Sequence, residues 1–186
     1  MQIRRNSRIS CFNSVFTGYP VGLLVDNDRG NSQAAAIDNG NYLKVKNVFF
    51  AGMGRTGATN NSTTGAWQDG GVAGKDLDDF TSEGWFKTPA FNNSVFEGIG
   101  ELMLKQFQSK QLPVSASGFS PNRNDMNWGP TAGSPLRAAG AADFTDPLVN
   151  NSFFTKVTYA GAFASDADAD SWTRGWANFD PQNTDY

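Results

Sequence analysis

The sequence predicts a mainly β fold, a solenoid of stacked parallel strands with long loops, one or two short helices and a C-terminal cap. Three observations predict it. Charged residues are only 18% of 186, whereas Gly 20 and Pro 8 stand among many Asn, Ser and Thr, a composition of frequent turns rather than of helices. Short apolar segments recur with a similar pattern, Asn13-Ser14-Val15-Phe16 then Gly18 against Asn47-Val48-Phe49 then Gly52. Between the segments run polar stretches, 27 to 41 and 53 to 80, of the kind that bulge from a stack as insertions. A β-sandwich with similar strands is the alternative that the repeats alone leave open.

The first segment runs from Ile9 to Tyr19 and the next from Val21 to Asp26, with Gly18 and Pro20 between them, as two short strands and a turn. In Tyr42 to Gly52, Leu43, Val45 and then Val48 face a core. The phase changes at Lys46-Asn47, so a bend belongs there.

A third copy is read at Asn93-Ser94-Val95-Phe96 then Gly98, although Val95, Phe96, Ile99, Leu102 and Met103 also recur at helical spacing and Asn93 could cap a helix. Gly98 and Gly100 each disfavour helix by about 1 kcal/mol relative to Ala, so a brief helical piece is expected before Leu104. The second helical candidate is Asp78 to Lys87, stopped before Pro89. From Gln111 to Pro147 five prolines remove backbone donors, so extended irregular chain is expected. Phe153 to Tyr159 alternates like a strand, and Trp172, Trp176, Phe179 and Tyr186 carry the apolar area of a cap.

Composition also excludes functions. With no histidine, the chain lacks the usual general base, the usual zinc ligand and every Ser-His-Asp or Cys-His arrangement. Cys11 is the single cysteine and reads as a packing residue rather than a nucleophile. A net charge of −3 gives no footprint for nucleic acid, and Arg4, Arg5 and Arg8 read first as a solvated edge. No apolar run reaches the length of a membrane span, and the residues after Met1 do not form an export signal.

Ile3 to Ser10 with Phe12 to Pro20, Gly133 to Leu136, Phe153 to Phe163, and Trp172-Thr-Arg-Gly-Trp-Ala-Asn-Phe-Asp-Pro181 resemble the C-terminal third of large uncharacterised proteins of Bacteroidota. The resemblance is dense at both ends of the chain and thin from about 54 to 90. It implies a right-handed parallel β-helix of the pectin-lyase-like type, in a lipoprotein or secreted product at the outer cell surface or beyond it. It implies no biochemical activity. Family members carry many coils before the position of Met1, so residues 1–110 are expected to be the last coils and 111–186 an irregular segment and cap, one unit truncated at its N-terminus. The expected partner is then the set of missing upstream coils of the parent protein.

Asp166, Asp168 and Asp170 are candidate calcium ligands, because spacing of two puts three carboxylates on one face of an extended strand. An EF-hand is excluded by Ser171 and Ala177, and a solvated acidic turn is the simpler reading. Trp172 and Trp176 offer either an aromatic platform for a sugar ring or, with greater weight, a cap. Trp67, Trp85 and Trp128 sit in expected loops and are the candidate ligand contacts, with extracellular glycan as the candidate ligand. Asp69, Asp76, Asp78 and Asp79 are dense carboxylates with no spacing that sets an acid against a base. The functional expectation is a noncatalytic structural and binding segment of a secreted or cell-surface protein that needs no cofactor. The alternative is the C-terminal part of a carbohydrate-active lyase or glycosidase whose catalytic residues lie upstream.

Overall fold

Two asparagines turn the chain at equivalent places. Asn13 and Asn47 take the left-handed conformation, with φ of 51° and 54°, which asparagine tolerates because its short amide bonds the backbone nearby. Each lies between two very short strands. β1 (Gln2–Ile3), β2 (Cys11–Phe12), β3 (Val15–Thr17) and β4 (Leu23–Val25) precede the second corner's flanking strands, β5 (Val45–Lys46) and β6 (Phe49–Ala51). β7 (Trp67–Asp69) and β8 (Ser94–Phe96) complete the set. The computed structural model describes residues 1–38, 43–53, 67–69, 79–105 and 127–173.

The strands form three small sheets, in the orders β1-β4-β7, β2-β5 and β3-β6-β8. Every pair is parallel, with Cys11 opposite Val45, Val15 opposite Phe49 and Phe49 opposite Ser94. The segments 9–19 and 43–52 are thus parallel neighbours as their similarity suggested, but across two sheets rather than in one. The third copy is displaced by one residue. Asn92, at φ 52°, stands two residues before Ser94 as Asn47 does before Phe49, and Asn93 has a different role.

The mainly β expectation is corrected. Among the described residues strands amount to 16% and helix to about 20%, with no closed barrel or solenoid. Strands of two or three residues, below the five or six of an ordinary strand, leave most of the described residues to turns, bends and short helices. The right-handed β-helix implied by the resemblance falls with it.

Part of the helix lies where a polar loop was expected. α1 (Ser32–Ile37) occupies the 27–41 insertion, with Ala36, Ser32 and Gln33 buried. α2 (Ser82–Phe86) falls within the expected 78–87 window, starts at Thr81, whose hydroxyl accepts from the Gly84 N–H, and is followed by a 3₁₀ turn at Pro89–Phe91. The brief helical piece before Leu104 is a 3₁₀ turn, Ile99–Leu102, where the Glu101 carboxylate accepts from the Gly98 N–H at 2.8 Å. Residues 127–147 are irregular apart from a 3₁₀ turn at Pro135–Arg137. The strand expected at 153–159 is absent: these residues are turns and bends, and Phe153 is 86% exposed.

Two apolar clusters meet at β6. The inner one joins Ile3, Leu23, Val25, Leu43, Val45, Val48 and Phe50 to Trp85 and Phe86 of α2. The outer one joins Phe49 and Ala51 to Leu102, Leu104, Leu136, Ala141 and Ala160. Because side chains alternate along a strand, β6 presents Phe50 to one cluster and its neighbours to the other. A parallel strand buried on both faces reads as an unbroken apolar run, which is what Val48 to Ala51 shows. Gly52 closes the run at φ 62°, and a Cβ there would lie 2.7 Å from Cγ1 of Ile99.

Candidate functional site

The left-handed corners aim three amides at one segment of chain. Asn13 donates from Nδ2 to the Asp143 carbonyl at 3.1 Å and accepts the Asp143 N–H on Oδ1 at 2.9 Å. Asn47 and Asn92 both donate to the Gly140 carbonyl, at 2.8 and 3.1 Å. The Asn13 carbonyl receives the Gly161 N–H at 2.8 Å. Gly140 and Gly161 themselves have positive φ, 80° and 87°. Three asparagines in register thus hold the segment that covers the outer cluster.

Charge reinforces this attachment. Nζ of Lys44 lies 3.0 and 2.9 Å from the two carboxylate oxygens of Asp146, and Nζ of Lys46 lies 3.4 Å from one of them. The Asp146 side chain is 6% exposed, the lysines 23% and 25%. Burial alone would raise the Asp146 pKa. The Lys44 hydrogen bond, the Leu148 N–H, the Lys44 charge and the Lys46 hydrogen bond outweigh burial and hold the carboxyl below its ordinary range. Sequence reading missed this group, because the lysines are separated from Asp146 by about a hundred residues and only alternation on β5 marks them as facing away from the core.

Other buried or half-buried polar groups also serve the backbone. Asn93 accepts the Val48 N–H at 2.9 Å and donates to the Val45 and Phe86 carbonyls at 2.8 and 2.9 Å. Ser82 Oγ accepts the Val25 N–H at 3.2 Å, and Ser134 Oγ donates to the Leu102 carbonyl at 2.6 Å. Each supplies a partner to a backbone group at the end of a strand, helix or turn. Cys11 is half-buried in β2, and burial raises its thiol pKa above the ordinary value, partly offset by Ser14 and the N-terminal amine.

The sequence-named residues fall into three groups. Trp85 is 7% exposed on α2 rather than in a loop, its indole N–H donating to the Ala36 carbonyl at 2.9 Å, so it packs in the inner cluster. Trp67 belongs to β7, and Trp176, Phe179, Tyr186, Asp76 and Asp78 lie outside the described residues. Trp128 is half-buried in a ring group with Phe163 and Trp172. Phe163 and Trp172 are stacked with centroids 5.7 Å apart at 18°, Trp128 meets Phe163 edge-on at 6.4 Å, and Trp172 is 54% exposed.

The three aspartates do not share a strand face, because Asp168–Asp170 forms a 3₁₀ turn. Asp168 lies 3.5 Å from Nζ of Lys105, Asp170 accepts from the Ser165 hydroxyl, and the Asp166 carbonyl receives Lys105 and Asn127 at 2.9 and 3.1 Å. Among the described residues no three His, Cys, Asp or Glu side chains converge to hold a metal ion. Nor is any described helix long and apolar enough to cross a membrane.

No family model, curated protein or solved structure matches the chain.

Proposed function

We propose that the chain is a noncatalytic structural and binding segment of a secreted or cell-surface protein, and that its surface aromatic group contacts glycan. The observation that carries this reading is the Trp172 ring, 54% exposed and stacked on Phe163. A large apolar ring at the surface is unfavourable unless something covers it, and a flat ring held in place by a second ring suits the C–H face of a pyranose. Polar groups that could meet sugar hydroxyls are the Asp168–Asp170 turn, which precedes it in the chain, and the Lys105 ammonium that this turn engages. The polar side chains of the corners and the core support the noncatalytic part: Asn13, Asn47, Asn92, Asn93, Ser82 and Ser134 are spent on backbone groups.

The test is a titration of neutral and acidic oligosaccharides followed by calorimetry and tryptophan fluorescence, on the chain and on Trp172→Ala. Saccharide binding that weakens about tenfold in the variant, with unchanged circular dichroism, is expected from loss of one stacked ring. No saccharide binding by the parent chain, or equal binding by the variant, would overturn the glycan assignment.

A further inference from the structure

β1, β2 and β3 are each the end strand of their sheet. On their paired side, Cys11 and Asn13 donate to the Lys44 and Lys46 carbonyls at 2.7 and 3.1 Å, the Ser14 carbonyl accepts from Phe49 at 2.8 Å, and Gly18 donates to Ala51 at 3.0 Å. Main-chain groups alternate along a strand, so those of Val15 and Thr17 point to the opposite, open side, whereas the Phe12 carbonyl accepts from the Ser14 hydroxyl at 2.7 Å. Among the described residues nothing pairs with the outward groups of Val15 and Thr17. An open edge of this kind is a template for another strand.

The flanks of the edge carry both apolar area and charge. Ile9 is 71% exposed and Tyr19 59%. Arg5 and Arg8 are exposed as well. Residues 1–25 contain three arginines and no acidic residue, in a chain whose net charge is −3. Of the three, Arg4 already lies 3.6 Å from Asp26 and 4.0 Å from Asp28.

Two copies meeting edge to edge would bring arginines against arginines, which disfavours self-pairing. A strand bearing carboxylates meets the opposite field. We propose that this edge is a strand-addition surface for an extended acidic segment of another protein, whose main chain pairs with Val15 and Thr17 while its carboxylates face Arg5 and Arg8. Main-chain pairing supplies affinity in this mode and the side chains supply choice of partner.

The experiment uses a synthetic peptide of roughly ten residues that alternates valine with glutamate, and a matched peptide with lysine in place of glutamate. Amide exchange by NMR on the full chain reads the site, and calorimetry at low and high salt reads the affinity. The glutamate peptide is expected to slow exchange at Val15 and Thr17 and to bind about tenfold more tightly than the lysine peptide, with the difference shrinking in salt. Arg5→Glu with Arg8→Glu, both at exposed positions, should reverse the preference without changing circular dichroism. The proposal is overturned if protection appears elsewhere, if the two peptides bind alike, or if Val15 and Thr17 become protected with rising protein concentration and no peptide, which would make a second copy the occupant.

Discussion

The two faces of β6 are closed by different kinds of chain. On the inner face, Phe50 stacks on Phe86 with centroids 4.5 Å apart and meets Phe16 edge-on at 5.7 Å, so successive segments are joined by ring packing. On the outer face, Phe49 and Ala51 are covered by irregular chain contributing small or medium residues such as Leu136, Ala141 and Ala160. That cover has no strand of its own to pair with the sheet. It is held instead by amides and by the Lys44, Lys46 and Asp146 group, which satisfy backbone that has no ladder. Apolar stacking is non-directional and tolerates many partners, whereas the amide contacts fix the position of particular carbonyls. The regular region therefore owes its stability to area, and the irregular region owes its placement to direction.

Substitutions on the two faces should therefore differ in size and in kind. Phe50→Ala is expected to have the largest effect, about 3 to 5 kcal/mol of lost stability, because a fully buried ring leaves a cavity between two other rings. Urea unfolding measures it, and a loss below about 1 kcal/mol would show that the inner cluster is not the main support.

Asp146→Asn is expected to follow, at about 2 kcal/mol near neutral pH, since Lys44 and Lys46 would keep their charge without a counter-ion. Its pH dependence distinguishes it from a packing loss. The Asp146 carboxyl titrates below its unfolded value, so its contribution is present above that unfolded value and is lost as pH falls through the folded one. The gap in stability between parent and variant should close in that acid window; a gap that stays constant with pH would remove the ion pair from the account.

Asn47 separates corner from attachment. Asn47→Ala loses both the left-handed preference and the amide bond to Gly140, for about 2 kcal/mol in all, while Asn47→Gly keeps the corner and loses about 1 kcal/mol. Equal losses would mean that the amide alone matters. The glycine variant should also raise amide exchange around 140–143 and leave that of β6 unchanged.

Much of the inner region was legible because local alternation reports burial. Leu43, Val45 and Val48 are buried together, and the bend read from their change of phase is the left-handed Asn47. α2 ends before Pro89 for the reason that the proline ring predicts. The outer region was less legible. Asn13 and Asn47 were visible as marks of a repeat, but a side chain's partner a hundred residues away leaves no local pattern. The one-residue error at the third copy has the same origin, since Asn92 and Asn93 are both asparagine and only the register with Phe49 tells them apart. In sequence Trp85 reads as a loop contact, because the apolar pattern around a five-residue helix is too short to show which side faces inward.

By itself the sequence determined where chain direction changes and which short runs are apolar, since φ preference and alternation are properties of neighbouring residues. Only the tertiary structure decided how many strands pair, that β6 is covered on both sides, and what the polar groups of the corners hold. Those depend on contacts between segments far apart in the chain, whose free energies arise only when both segments are in place.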